Sequence, residues 1–376
     1  MVDCFVCRKI LRPTASIRVA LLVLIASVLS AVFTFVFVVP YSPVSRRMTE
    51  PQSHEDLENN ADIPDNPLSL HDPHEVHHEG EAEEANRLAQ KVRVLCWVMT
   101  QPASHDKKAV HVKATWGRRC NKLIFISSKN NESLGAIDVG VEEGRNMLWG
   151  KTKAAYKYAY DHHLQEYDWF LKADDDTYVI VENLRYMLSS YDPNYPIYFG
   201  SRFKPFTKQG YMSGGGGYVL SREATKKFVE EALTDEKKCK SSPHGAEDAE
   251  IGKCLEKVGV MAGDSRDSLG RGRFFPFTPG THLMGGIPGW YKTYAYYSPY
   301  VGLDCCSDTA ISFHYVNTAR MYELEYMLYH VRPFGIQHKD PFPAPLPPDT
   351  ASIPRPILEQ AGRLEPDEKD KRPGVE

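Results

Sequence analysis

Residues 19–39 form the feature that most constrains this chain. They are apolar apart from Ser27, Ser30 and Thr34, and a run of that length crosses a bilayer as a helix but exceeds the core of a cleaved signal peptide. Arg8, Lys9, Arg12 and Arg18 precede it, and positive charge resists translocation, although Arg46 and Arg47 on the other side weaken the asymmetry. The expected topology is a cytosolic tail at 1–18, a single signal-anchor span at 19–39, and a luminal body.

Topology then decides how the cysteines read. Cys4 and Cys7 fall on the cytosolic side, where thiols stay reduced. Cys96, Cys120, Cys239, Cys254, Cys305 and Cys306 fall in the oxidising lumen, where an even number favours disulfides. Six cysteines allow fifteen connectivities; local pairing joins Cys96 to Cys120, Cys239 to Cys254, and Cys305 to its neighbour Cys306. The formal net charge of −4 provides no basic surface, so nucleic acid is not expected as a partner.

Composition divides the luminal part. Residues 40–90 are rich in Asp, Glu, Asn, Pro and His without sustained periodicity, which reads as an extended acidic stem. His71, His74, His77 and His78 within it lack a fixed scaffold and read as solvated linker. Residues 339–376 open with closely spaced prolines and end in charge, a tail expected to be disordered. Between them, residues 91–338 are long enough for a substantial core. Apolar runs at 92–99 and 123–127 read as strands, 107–116 can hold a helix joining them, 152–163 reads as a helix, and 168–171 begins a third strand. Strand and helix alternating at these lengths predict a parallel α/β sheet, with ligands beyond the carboxyl ends of the strands.

At the end of that third strand stands Trp169-Phe170-Leu171-Lys172-Ala173-Asp174-Asp175-Asp176-Thr177-Tyr178. Three carboxylates behind an aromatic strand are costly unless a cation or hydrogen-bond donors neutralise them. Oxygen ligands suit Mg²⁺ or Mn²⁺, and such an ion stabilises a departing diphosphate. A solvated acidic turn is the competing reading. A second group, Gly245-Ala246-Glu247-Asp248-Ala249-Glu250, precedes a helical pattern. It serves either as ordinary N-terminal capping or as the source of a general base, Asp248 or Glu247. Ser312-Phe313-His314-Tyr315 is a short β-like run with an imidazole that can join carboxylate ligands. Met212-Ser213-Gly214-Gly215-Gly216-Gly217-Tyr218 lacks the lysine of an ATP-binding P-loop and reads as backbone closely approaching a sugar. Trp290, Tyr291, Tyr294, Tyr296, Tyr297 and Tyr300 crowd one loop and offer stacking faces. Asn131-Glu132-Ser133 is the one N-glycosylation sequon.

The acidic triplet, the Gly-rich segment and the Glu247-Asp248 pair with Gly252, in that order, resemble the β1,3-glycosyltransferases that include the fringe proteins. Trp149-Gly150-Lys151-Thr152-Lys153, Ala262-Gly263-Asp264-Ser265-Arg266-Asp267, Cys305-Cys306-Ser307-Asp308, Ser312 through Val316 and Met321 through Tyr326 resemble the core 1 branch. The likeness covers roughly residues 92–335. It implies a GT-A-like fold, UDP-galactose as donor, Mn²⁺ as cofactor, a GalNAc-O-Ser/Thr glycoprotein as acceptor, inverting β1,3 transfer, homodimerisation, and a single-pass type II Golgi membrane protein. Carried over by position, Asp176 and His314 bind the metal, Asp174 and Asp175 contact the nucleotide sugar, and Asp248 is the base. Thr100, Lys151 and the Gly214–Gly217 segment, with Gly216 and Gly217, contact the donor, and Trp290 and Tyr218 the acceptor. Lys113-Ala114-Thr115-Trp116 departs from the Arg-x-Thr-Trp of other branches. A fringe-like enzyme with another UDP-sugar and a non-catalytic chaperone or lectin-like relative remain as alternatives; the intact triplet speaks against the latter.

Overall fold

The computed structural model describes residues 82–336. The 19–39 span, the stem up to residue 81, Cys4, Cys7 and the 339–376 tail lie outside the described residues. Among the described residues no helix is long and apolar enough to cross a membrane.

The first described element corrects the extended reading of 40–90 at its end. Helix α1 (Glu83–Lys91) has acidic residues in its first turn and Lys91 in its last, a distribution that complements the helix dipole, and it buries Leu88. Strand β1 (Val94–Met99) follows, then a π-type turn at His105–Ala109 running into the short helix α2 (Val110–Ala114), then β2 (Lys122–Ser127) and β3 (Ala136–Asp138). Helix α3 (Leu148–His163) leads to β4 (Trp169–Asp174), β5 (Tyr178–Val179) and α4 (Val181–Leu188). Next come β6 (Ile197–Gly200), the ribbon β7 (Arg202–Phe203) and β8 (Tyr211–Met212), β9 (Tyr218–Ser221), α5 (Arg222–Lys227) and α6 (Glu247–Lys257). Strands β10 (Met261–Ala262) and β11 (Phe274–Phe275), helices α7 (Pro279–Leu283) and α8 (Gly289–Tyr294), β12 (Ser312–Phe313) and α9 (Thr318–Tyr329) complete the chain.

The main sheet has the order β10-β6-β9-β4-β1-β2-β3. It is mixed rather than wholly parallel, because β9 runs antiparallel to both β4 and β6. The segment between β6 and β9 is spent on the β7–β8 ribbon instead of a crossover helix. The chain therefore re-enters the sheet in the reverse direction. Both faces are covered, which explains the near-continuous apolar runs. Along β1, Val94, Cys96 and Val98 enter one core cluster, while Leu95, Trp97 and Met99 enter the other.

The three disulfides are the local pairs: Cys96–Cys120, Cys239–Cys254 and Cys305–Cys306. The second ties the loop before α6 to the helix itself, and closing a loop of that size stabilises by roughly 3 kcal/mol through the unfolded chain. Asn131 sits in the turn before β3, where its side-chain oxygen accepts from the Ser133 hydroxyl (2.8 Å) and the Leu134 N–H (3.1 Å).

Candidate active site

Strand alternation sets the first wall of the site. Trp169, Leu171 and Ala173 point to one core and Phe170 to the other, so Lys172 and Asp174 share the Phe170 side. Asp174 ends β4 level with Met99 of β1. The chain then turns: the Thr177 N–H donates to the Asp174 carbonyl (3.1 Å), and the Thr177 hydroxyl donates to the Gly215 carbonyl (2.8 Å). The outgoing β5 pairs antiparallel with β12, Phe313 facing Tyr178. This pairing delivers His314, whose Nε2 lies 3.3 Å from Asp176 Oδ1 and 3.9 Å from Asp174 Oδ2. Asp174, Asp176 and His314 each present one ligand atom within 4.8 Å of the others. Two carboxylates and one imidazole form a donor set suited to a divalent ion such as Mn²⁺. Asp174 thus joins Asp176 and His314 in the cation cluster, beyond the nucleotide contact expected of it.

Asp175 is turned inward, accepting from the Thr100 hydroxyl (2.8 Å) with Lys108 Nζ 3.6 Å away. Burial pushes its carboxyl up to about 6, against the opposing pull of Lys108 and Thr100. Burial also works to raise Asp176, but the hydrogen bond and charge of His314, with Lys108 3.5 Å off, outweigh it and hold that carboxyl below its usual range.

The second wall is the N-terminus of α6 against the glycine turn. Glu247 is buried and accepts from the Tyr218 hydroxyl and from the Thr152 hydroxyl (3.0 Å), with Lys172 Nζ 3.9 Å away. Burial raises its carboxyl despite Lys172. Asp248, half-buried at the cleft, accepts from the Gly214 N–H through Oδ2 (3.2 Å) and from the Ala249 N–H through Oδ1 (2.8 Å). Glycine is required here for space. A Cβ on Gly215 would lie 2.1 Å from the His314 ring, and one on Gly214 2.6 Å from Glu247 Oε2. Those two adjacent residues therefore bring α6 and the cation cluster together at backbone distance.

These walls bound a cleft of about 970 Å³ that also takes in Thr100, Lys151, Phe277, Trp290 and Tyr315. Lys151 is buried, with its ammonium on Glu143 (2.6 Å) and the Thr100 carbonyl (2.9 Å), so its charge is already answered within the protein. Gly216 and Gly217 correct the expectation of donor contact. The Gly216 carbonyl accepts from Ser312, Gly217 makes the turn with φ of +74°, and it is Gly214 and Gly215 that line the cleft. Tyr218 is corrected too: fully buried, it supports Glu247 from beneath and presents no face to an acceptor. Trp290 is 49% exposed on the cleft. Tyr315 lines the same cleft unforeseen, held at φ of +57° and stacked at 6.3 Å on Phe277. Such strain in a non-glycine residue costs about 1 kcal/mol or more and concentrates at functional sites. Lys172 and Lys108 were also missed as site residues. A lone lysine inside an apolar strand was a readable signal for the first; nothing local marked the second.

Residues 90–266 match the Fringe-like family model. The chain is 49% identical over 274 residues to the glycoprotein-N-acetylgalactosamine 3-beta-galactosyltransferase 1 of Xenopus laevis, spanning 72% of this chain and 75% of that protein. The chain belongs to the fringe-like β1,3-glycosyltransferase family. A beta-1,3-glucosyltransferase of Mus musculus is 28% identical over 174 residues, 46% of this chain and 35% of that protein. The solved galactosyltransferase LgtC, in complex with donor and acceptor sugar analogs, is 13% identical, covering 63% of this chain and 97% of that chain at a TM-score of 0.37, too low to bear on function or fold. This member of the family is a glycosyltransferase, and it carries all three carboxylates of the 174–176 triplet.

Proposed function

We propose that the protein is an inverting β1,3-galactosyltransferase that moves galactose from UDP-galactose to O3 of GalNAc α-linked to Ser or Thr. The observation that carries this reading is the placement of Asp248 on the Gly214 N–H, one residue from the glycine that packs against His314 of the cation cluster. A displacement with inversion needs one base on the acceptor side and charge stabilisation on the leaving-group side. The two walls offer those groups separately. The relative named for galactose transfer to glycoprotein GalNAc supports the choice of donor and acceptor.

In this reading Asp174, Asp176 and His314 hold Mn²⁺, which when bound supplies positive charge to the departing UDP. Asp248 accepts the proton of the acceptor hydroxyl, oriented by the N–H groups of Gly214 and Ala249. Glu247 is barred from that role by its burial among Tyr218, Thr152 and Lys172. Thr100 fixes Asp175 at the cleft floor, and Trp290 and Tyr315 provide faces on which a sugar ring stacks. The architecture is read as GT-A-like.

The test is transfer by the detergent-solubilised chain to a GalNAc-Ser/Thr peptide from UDP-galactose, UDP-GlcNAc and UDP-GalNAc, with and without Mn²⁺. Mn²⁺-dependent β1,3 galactosylation is expected. Another preferred donor moves the protein to a sister activity, and no transfer by folded protein rejects catalysis. The apolar run at 19–39, with its preceding basic residues, supports a single-pass type II topology with a luminal catalytic domain, and residence in the Golgi follows from the core 1 resemblance alone. Digestion of the catalytic domain by protease added outside sealed vesicles would contradict it. Homodimerisation follows from the core 1 resemblance alone, and sedimentation at one-chain mass would contradict it.

A further inference from the structure

A lysine in the middle of the central strand of a sheet covered on both faces is costly to bury, and it stays charged only where the surrounding groups repay that cost. Lys172 is 2% exposed. Its ammonium donates to Asp174 Oδ1 (2.6 Å) and to the Gly214 carbonyl (3.0 Å), lies 3.9 Å from Glu247 Oε2, and sits 5.8 Å over the Tyr218 ring. Its two hydrogen-bond acceptors belong to opposite walls of the cleft. Asp174 is a member of the cation cluster; Gly214 is the residue whose N–H holds Asp248. With Oδ1 of Asp174 taken by Lys172, Oδ2 is the oxygen nearer His314.

Resting on the reading of Asp174, Asp176 and His314 as the cation site and Asp248 as the base, we propose that Lys172 is a positioning residue. Its ammonium ties the cation-binding carboxylate of Asp174 to the Gly214 backbone that carries Asp248, and so sets the distance between leaving-group stabilisation and base. The competing role is charge compensation, since buried Glu247 also needs a cation. The two roles separate cleanly. Compensation requires only that charges balance, whereas positioning requires the hydrogen bonds to Asp174 and Gly214.

The experiment compares wild type, Glu247→Gln and Lys172→Met/Glu247→Gln in the full-length chain, reading melting temperature, Mn²⁺ affinity by the paramagnetic resonance of free Mn²⁺ without donor present, and kcat. The double variant removes both buried charges together. The expected result is a double variant that melts cooperatively but binds Mn²⁺ about 10-fold or more weakly, the range found when a group orienting a metal ligand is lost, with kcat reduced below that of Glu247→Gln. Glu247→Gln alone keeps the bonds of Lys172 and is expected to hold Mn²⁺ within about 3-fold of wild type, below that range. A double variant that matches Glu247→Gln in both Mn²⁺ affinity and kcat overturns the proposal. Should the double variant not fold, Lys172→Arg decides. It keeps the charge and replaces a point donor by a longer rigid fork, so weakened Mn²⁺ binding is expected and wild-type affinity and kcat overturn the proposal. A wild-type chain that binds no Mn²⁺ overturns the cation reading and this inference with it, a result distinct from a wild type that binds and variants that match it.

Discussion

In the acidic triplet the middle carboxylate turns inward, to Thr100 and Lys108, and the outer two face His314. In the Glu247–Asp248 pair the first turns inward, to Tyr218, Thr152 and Lys172, and the second faces the cleft. The backbones differ, a tight turn in one case and the first turn of a helix in the other, yet each sends successive side chains in different directions. Carboxylates that are adjacent in sequence and chemically alike thus acquire opposite roles. The inward ones hold the scaffold by accepting from buried donors, because burial without donors is costly. The outward ones keep lone pairs available for an ion or a substrate proton.

Substitutions that treat the members of each cluster differently test this division. The largest effect is expected for Asp248→Asn: a kcat lower by about 10²–10⁴-fold, the range for a lost general base, with Mn²⁺-dependent UDP binding nearly intact. Normal turnover would put the base elsewhere. A carboxylate with a purely structural role provides the scale for the inward type. Glu325, outside the cleft lining, is buried and accepts from Arg118 (2.7 Å) and from Arg119 (2.6 Å). Glu325→Gln is expected to cost on the order of 3 kcal/mol, a drop in melting temperature of roughly 6–12 °C for a domain of this size, without changing Mn²⁺ affinity. Despite burial, the hydrogen bond and charge of Arg119, joined by Arg118, hold Glu325 below its usual carboxyl range. Its contribution is therefore complete above the unfolded value of 4.5 and disappears as pH falls through the lower folded value. Wild type should lose stability on acidification below that point more steeply than Glu325→Gln; identical melting-versus-pH curves would deny the assignment.

Within the triplet, Asp176→Ala should weaken Mn²⁺ binding by about 100-fold, at the upper end for groups that control a metal site, whereas Asp175→Asn should leave it within several-fold. Equal losses would erase the distinction between inward and outward members. The smallest effect is expected at the aromatic rim. Trp290→Ala should raise the KM for the glycopeptide by about 3–10-fold, matching a stacking contact of roughly 1 kcal/mol, while the KM for the donor is unchanged. A donor effect as large as the acceptor effect would relocate Trp290 to the other half of the reaction.

The strand, turn and helix that carry the two clusters were legible because their signals are local. An aromatic run ending in carboxylates is strand then loop, observed as Trp169–Asp174, and acidic residues before a helical pattern mark an N-terminus, observed at Glu247. The three short-range disulfides are the pairs that local spacing favoured among the fifteen connectivities. Tyr218 and Gly217 were misplaced because composition alone does not distinguish a tyrosine that lines a cleft from one that props up a glutamate. The helix Glu83–Lys91 was missed because it packs against α4, about a hundred residues away in sequence, and no local periodicity announces that contact.

By itself, the sequence placed the acidic triplet at the end of a strand and the Glu247–Asp248 pair at the start of a helix, since propensity, periodicity and charge act over a few neighbours. Only the tertiary structure decided which of those residues meet. The antiparallel return of β9, the arrival of His314 beside Asp176, the inward turn of Glu247 and the span of Lys172 between Asp174 and Gly214 all join segments far apart along the chain. Such contacts are set by sheet pairing and by the need to satisfy charge where water is excluded, and neither is written in any single stretch of residues.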